Sequence, residues 1–168
     1  MPRLHAQPYN IAARGFYFDS AEEFEAKAKT CVSDHGEPVE EFEIQFIDGE
    51  EIDCALARAW GLFQSNVHQY LTAVDRWVGH QKRRFIVAVG ECGYDFDPHK
   101  NDPDLFDVDL YEVDSLKELA ERFVDEGLFG DIPDRFACYI DYHAIGRDLA
   151  CDYSMIEIAG DHYAYRCG

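Results

Sequence analysis

Basic residues are scarce in this chain. Fifteen lysines and arginines stand against 34 aspartates and glutamates, a net charge of −19. That balance argues against direct nucleic-acid binding, which rests on neutralising phosphates with Lys and Arg. Long apolar runs are also missing. No stretch approaches the roughly 18 residues of a membrane span, so no membrane association is expected. The opening Met1–Asn10, with Pro2, Arg3, His5 and Pro8, lacks the apolar run of about 7–15 residues of a secretory leader, so a cytoplasmic location is expected. The six cysteines form no C-x-x-C pair, which excludes zinc-ribbon and thioredoxin readings; reduced thiols, several of them buried, are expected.

Catalytic signatures are absent too. There is no nucleophile elbow, P-loop, G-x-G-x-x-G, H-E-x-x-H or kinase set. Gly90-Glu91-Cys92-Gly93 lacks the lysine and hydroxyl residue of a phosphate loop. The acidic run Asp95–Asp104 fails as a calcium loop: from Asp95, His99 falls at the fifth place, Lys100 at the sixth and Phe106 at the twelfth. An irregular calcium site there is the remaining metal alternative. No catalytic residue, cofactor or metal is therefore expected, and the chain reads as a non-enzyme.

What is present is a core. Hydrophobic residues make up 47% and aromatics 14%, enough to fold and too much for a disordered acidic tail. The charge exceeds the magnitude of about 2–8 that keeps a small domain soluble, and it is uneven. Residues 1–60 carry 13 acids and five bases, residues 61–90 one acid and four bases, and residues 91–168 twenty acids and six bases. Two acidic blocks thus flank a mildly basic middle. A merely very soluble or halophilic protein, with acids on solvated faces, is the plain alternative.

The pattern predicts strands over Leu4–Gln7, Gly15–Phe18 and Phe42–Ile47. It predicts a helix from the Ser20/Glu23 capping box, with Phe24, Ala28 and Cys31 on one face, and an Asp48-Gly49 turn. Helices are expected over Ile52–Trp60, ending at Gly61, and over Gln69–Val78. Arg84–Val89 is ambiguous between strand and buried helix, and Gly90–Phe106 reads as loop or short helical turns. Asp107–Val113 reads as a strand. A second capping box, Ser115/Glu118, opens a helix with the stripe Leu116, Leu119, Ala120 and Phe123, closed by Gly127. The strand–cap–helix segments around Ser20 and Ser115 match at a constant offset of 95 residues, a weak internal repeat. A helix with Pro133 at its first position is expected through Tyr142, placing Phe136, Tyr139 and Tyr142 on one face. A hairpin is expected around Ala159-Gly160-Asp161. The fold class is α+β: an elongated chain with small antiparallel sheet-plus-helix units at both ends (1–60 and 106–168) and a mainly helical middle (61–105).

The segment Ile132–Leu149, reading IPDRFACYIDYHAIGRDL, resembles the ArdA family of antirestriction proteins, which carries a similar "P…YIDY…GRDL" stretch before a β-hairpin. Tyr9-Asn10 and Gly15-Phe16-Tyr17 are similar to the family's opening. The resemblance implies a DNA mimic, encoded on a mobile genetic element. It would act as a homodimer that occupies the DNA-binding groove of a type I restriction-modification enzyme. The motif carries over to Tyr139, Ile140, Asp141, Tyr142, Gly146, Arg147, Asp148 and Leu149, which with Phe136 form a core or dimer interface as readily as an enzyme contact. The acids expected to stand in for phosphates are Asp19, Glu22, Glu25, Glu40, Glu43, Asp95, Asp97, Asp102, Asp104, Asp107, Asp109, Glu112, Asp114, Glu118, Glu121 and Asp125. Two departures from the family remain: Ile11 where glycine is usual, and Arg76, Lys82, Arg83 and Arg84, which do not suit a DNA-like face and are expected on a convex or buried side or in internal pairs. An acidic interaction module or chaperone for another basic or DNA-binding protein is the alternative function.

Overall fold

The computed structural model describes residues 1–97, 99 and 102–168. Pro98, Lys100 and Asn101, part of the expected Gly90–Phe106 loop and of the acidic run, lie outside the described residues. The fold is an α+β mix with two small antiparallel sheets, and the chain separates into two compact units, Met1–Phe106 and Asp107–Gly168.

The first unit opens with β1 (Arg3–Pro8) and β2 (Phe16–Phe18), then α1 (Ala21–Thr30) and β3 (Phe42–Asp48). Alternation decides which face is buried. Leu4, Ala6, Phe18, Phe42 and Ile44 are buried, whereas Arg3, Tyr17 and Glu43 are exposed. The sheet order is β2-β1-β3, all antiparallel. Phe16, Phe18, Phe24 and Phe42 close its inner face with ring centroids 4.9–6.2 Å apart.

The rest of this unit is helical: α2 (Glu51–Trp60), α3 (Val67–Arg76), α4 (Gly79–Phe85), and a π-helical turn Ile86–Glu91 that continues α4. The ambiguous apolar run is thus a buried helix, with Phe85, Val87 and Ala88 fully enclosed. Alternation is absent there because both sides of the segment are packed. The Gln69–Val78 expectation is corrected at both ends. Asn66 opens the helix, and Trp77 turns extended (φ −80°, ψ 134°). Phe85 is the hub, with Trp60, Trp77 and Phe96 rings 4.8–5.2 Å away. A 3₁₀ turn, Pro103–Leu105, is one of the short helical turns expected in the Gly90–Phe106 stretch.

The second unit contains β4 (Val108–Glu112), α5 (Leu116–Asp125), α6 (Asp134–Ala137), α7 (Tyr142–Leu149), β5 (Ser154–Ile158) and β6 (Asp161–Cys167). Its sheet order is β4-β6-β5, again antiparallel. The β5–β6 hairpin turns through Ala159 (φ 53°) and Gly160 (φ 86°), the positive-φ pair that a two-residue turn demands. The core joins Val113, Leu119, Phe123, Tyr153 and Ala164.

One expectation fails here. Pro133–Tyr142 is not one helix: Pro133 precedes α6, which stops after a single turn, and Asp141 starts α7 as its N-cap, accepting the Ala144 N–H at 3.0 Å. An aspartate that can cap a following helix competes with continuing the previous one. Free thiols are found at Cys31, Cys54, Cys138 and Cys151 but not at Cys92 and Cys167, and the expectation that several are buried fails: Cys31 and Cys54 are half-buried, Cys138 and Cys151 exposed, because aromatic and aliphatic side chains fill the cores instead.

The sheets of the two units share one strand layout. The strand before the capped helix lies on one edge, the strand after the helical segment lies on the other edge, and a central strand runs antiparallel to both. The central strand comes first in the chain in the first unit (β1) and last in the second (β6).

Candidate functional site

The two capping boxes form as the residue types require. Ser20 Oγ accepts the Glu23 N–H, and Ser115 Oγ accepts the Glu118 N–H, each at 3.2 Å. In return Glu23 accepts the Asp19 N–H at 2.8 Å, and Glu118 the Asp114 N–H at 2.7 Å. The geometry repeats bond for bond at the 95-residue offset. It leaves Asp19 and Asp114 as exposed residues just ahead of each helix.

Of the 34 acids, 29 are exposed, four are half-buried and Asp53 alone is buried. The expected partner-facing acids divide on this basis. Asp19, Glu22, Glu25, Glu40 and Glu43 are exposed on or near α1 and β3, as are Asp95, Asp102 and Asp104 in the loop after α4. Asp107, Glu112, Asp114, Glu118 and Asp125 are exposed on the second unit. Asp97, Asp109 and Glu121 are half-buried.

Several are already compensated. Lys117 Nζ sits 2.6 Å from Glu121, Arg166 Nε 2.9 Å from Asp109, and Lys29 3.9 Å from Glu25. The Glu121 hydrogen bond raises the Lys117 pKa and the Asp109 bond raises that of Arg166. Glu23 is held below the usual carboxylate range by Lys27 and then by the Asp19 N–H. Glu22 is lowered by its own backbone N–H and then by Ser20. Glu22, Glu40, Asp95, Glu112 and Asp125 have no ion pair among the described residues.

Lys82 and Arg84, two of the four cations of the middle, have internal partners. Lys82 is buried and meets Asp53 at 2.7 Å, and Arg84 donates to the Phe106 carbonyl at 3.1 and 2.7 Å. Arg83 is half-buried and Arg76 is exposed.

On the second unit a cleft of about 220 Å³ is lined by Glu112, Asp114, Glu118, Asp161 and His162. His162 Nδ1 stands 3.4 Å from Asp114 and Nε2 3.8 Å from Glu157. Such a cleft holds a negative potential suited to a cationic side chain. Asp161 is the residue that sequence reasoning missed. The signal for it was the pairing of Glu112 with Tyr163 across β4 and β6, which a hairpin register implies only once the sheet order is known.

The IPDRFACYIDYHAIGRDL segment is divided by the helix break. Phe136 and Tyr139 are 48% and 80% exposed, so neither belongs to the core, and Tyr139 and Tyr142 do not share a helix face. Ile140 and Tyr142 are half-buried; Asp141, Arg147 and Asp148 are exposed. Gly146 is buried where α7 crosses the start of α5: a Cβ there would lie 3.0 Å from the Lys117 nitrogen and 3.1 Å from the Leu116 carbonyl. That close backbone approach explains a glycine at this place. Leu149 packs on the core of the unit.

Among the described residues, no group of three His, Cys, Asp or Glu is arranged to hold a metal, and no helix is long and apolar enough to cross a membrane. No curated relative matches the chain. A family model described as antirestriction protein (ArdA) matches residues 12–164. With nearly the whole chain covered, this protein belongs to the ArdA antirestriction family.

Proposed function

We propose that the protein is a DNA mimic that occupies the DNA-binding groove of a type I restriction-modification enzyme. The observation that carries this is the outward placement of 29 of 34 acids while Lys82 and Arg84 are spent on internal partners. Duplex DNA presents one charge per roughly 1.7 Å of axis, and its binding proteins respond chiefly to that field. A folded surface of carboxylates offers the same field without bases or sugar, so the protein acts as a competitor in the cytoplasm and not as an enzyme. In this reading it works as a homodimer, with the exposed Phe136 and Tyr139 at the pairing surface and the 61–105 segment as a helical middle between two acidic portions.

The acids singled out from the sequence differ in worth. Asp109 and Glu121 are poor phosphate surrogates, because Arg166 and Lys117 already answer them. Glu22, Glu40, Asp95, Glu112 and Asp125 are better ones. Each exposed contact is worth about 0.4 kcal/mol, so five sum to about 2 kcal/mol, roughly thirtyfold in affinity. The test is inhibition of a type I enzyme in competition with DNA. Changing those five acids together to amides is expected to weaken inhibition roughly thirtyfold, and each single change about twofold. Loss of all inhibition from one acid, or failure to compete with DNA at low salt, would overturn the reading.

A further inference from the structure

A cavity in the first unit runs against the character of the rest of the surface. It is an open depression of about 480 Å³ beside α2, α3 and the segment that follows α3, within the size range of small-ligand pockets. Trp60, His68, Gln69, Arg76, Trp77 and His99 line it, and no carboxylate does among the described residues. In a chain of net charge −19, a concavity with one guanidinium, two imidazoles and no acid is selective for the opposite sign of ligand.

Two of its lining side chains have unanswered polar atoms. Trp60 is 4% exposed, and its Nε1–H finds no acceptor among the described residues; the buried Gln69 Oε1 finds no donor. A buried polar atom left unpaired is costly, and such atoms in native folds commonly mark a missing partner. The Gln69 amide nitrogen stands 3.2 Å from His99 Nε2; with the His99 proton on Nδ1 the amide donates there, and its oxygen is left as the acceptor. Trp60 and Trp77 rings lie 5.6 Å apart and supply flat apolar walls.

We propose that this cavity binds a small organic anion, carboxylate or phosphate, that carries a flat ring and a hydrogen-bond donor. Arg76 takes the anionic group, the tryptophan wall takes the ring, and Gln69 Oε1 takes the donor. Such a site takes a ligand of the opposite charge to the carboxylate surface, which comes near its edge at Glu22, a carboxylate within electrostatic reach of His68.

The chain has two tryptophans, and both line the cavity, so intrinsic tryptophan emission reports on this site. The full-length protein is titrated with adenosine 5′-monophosphate and, separately, with 4-hydroxybenzoate, which distinguishes the phosphate from the carboxylate source. A saturable change in emission with either one is expected. Arg76→Gln is expected to weaken it about tenfold, with the circular dichroism melt unchanged, while Arg135→Gln in the other unit binds as the unaltered protein does. No saturable change with either compound, or equal binding by Arg76→Gln, overturns the proposal. The readout needs no restriction enzyme, so it stands or falls apart from the proposed function.

Discussion

Asp53 and Lys82 form the one ion pair in the described structure whose two side chains are both below 10% exposed. Asp53 anchors α2, and its carbonyl also accepts the buried Tyr70 hydroxyl at 2.9 Å, while burial drives the Tyr70 pKa upward. Removing one partner of a buried pair leaves an uncompensated charge, which costs about 3–5 kcal/mol. Asp53→Asn is therefore expected to lower the stability of the first unit by that amount in a urea melt, and the double change Asp53→Asn with Lys82→Met to recover most of it. A double variant as unstable as the single one would show that packing, not charge, governs the site. The pair was hard to read from sequence. An acid and a lysine 29 residues apart carry no local signal, and in a chain with 34 acids no single aspartate stands out. Gly146 was legible only as part of a family motif; its reason, the approach of α7 to the α5 backbone, appears only in three dimensions.

Among the elements, the caps were the most legible because their chemistry is local. A serine three residues before a glutamate fixes both ends of the box, and the structure places both as expected. Ser20→Ala and Ser115→Ala are each expected to cost about 1 kcal/mol. Sharing no partner, they should add within about 0.5 kcal/mol in the double variant, as read by denaturant melts. A strongly non-additive pair would mean that the two caps are coupled. The helix predicted through Tyr142 failed for an equally local reason: Asp141 can cap, and helical spacing alone does not reveal where a new helix begins. The RFIVAV run could not be assigned at all from periodicity, since full burial erases the pattern that separates strand from helix.

For the molecule as a whole, salt acts on two quantities in opposite directions. Twenty-nine exposed acids repel one another in the folded state, and raising ionic strength from about 0.1 M to about 1 M shortens the Debye length from about 10 Å to about 3 Å. The melting temperature is therefore expected to rise over that range while, for the partner proposed above, the logarithm of the affinity falls linearly with log salt. Calorimetry and equilibrium binding at matched salt check the two halves, and a fall in both would show that surface ion pairs outweigh the repulsion.

The position of β6 has a consequence for chain connectivity. It ends beside the start of β4, where the Gly168 N–H donates to the Asp107 carbonyl at 2.9 Å and Cys167 pairs with Val108. The old ends of the second unit therefore meet as the two arms of a hairpin do. Joining them with a tight turn and opening the chain between Ala159 and Gly160 would give a circular permutant with the strand order of the first unit, centre strand leading. The permuted second unit would then follow the same strand and helix succession as the β1–β3 portion of the first unit, edge, centre and edge filled in the same chain order.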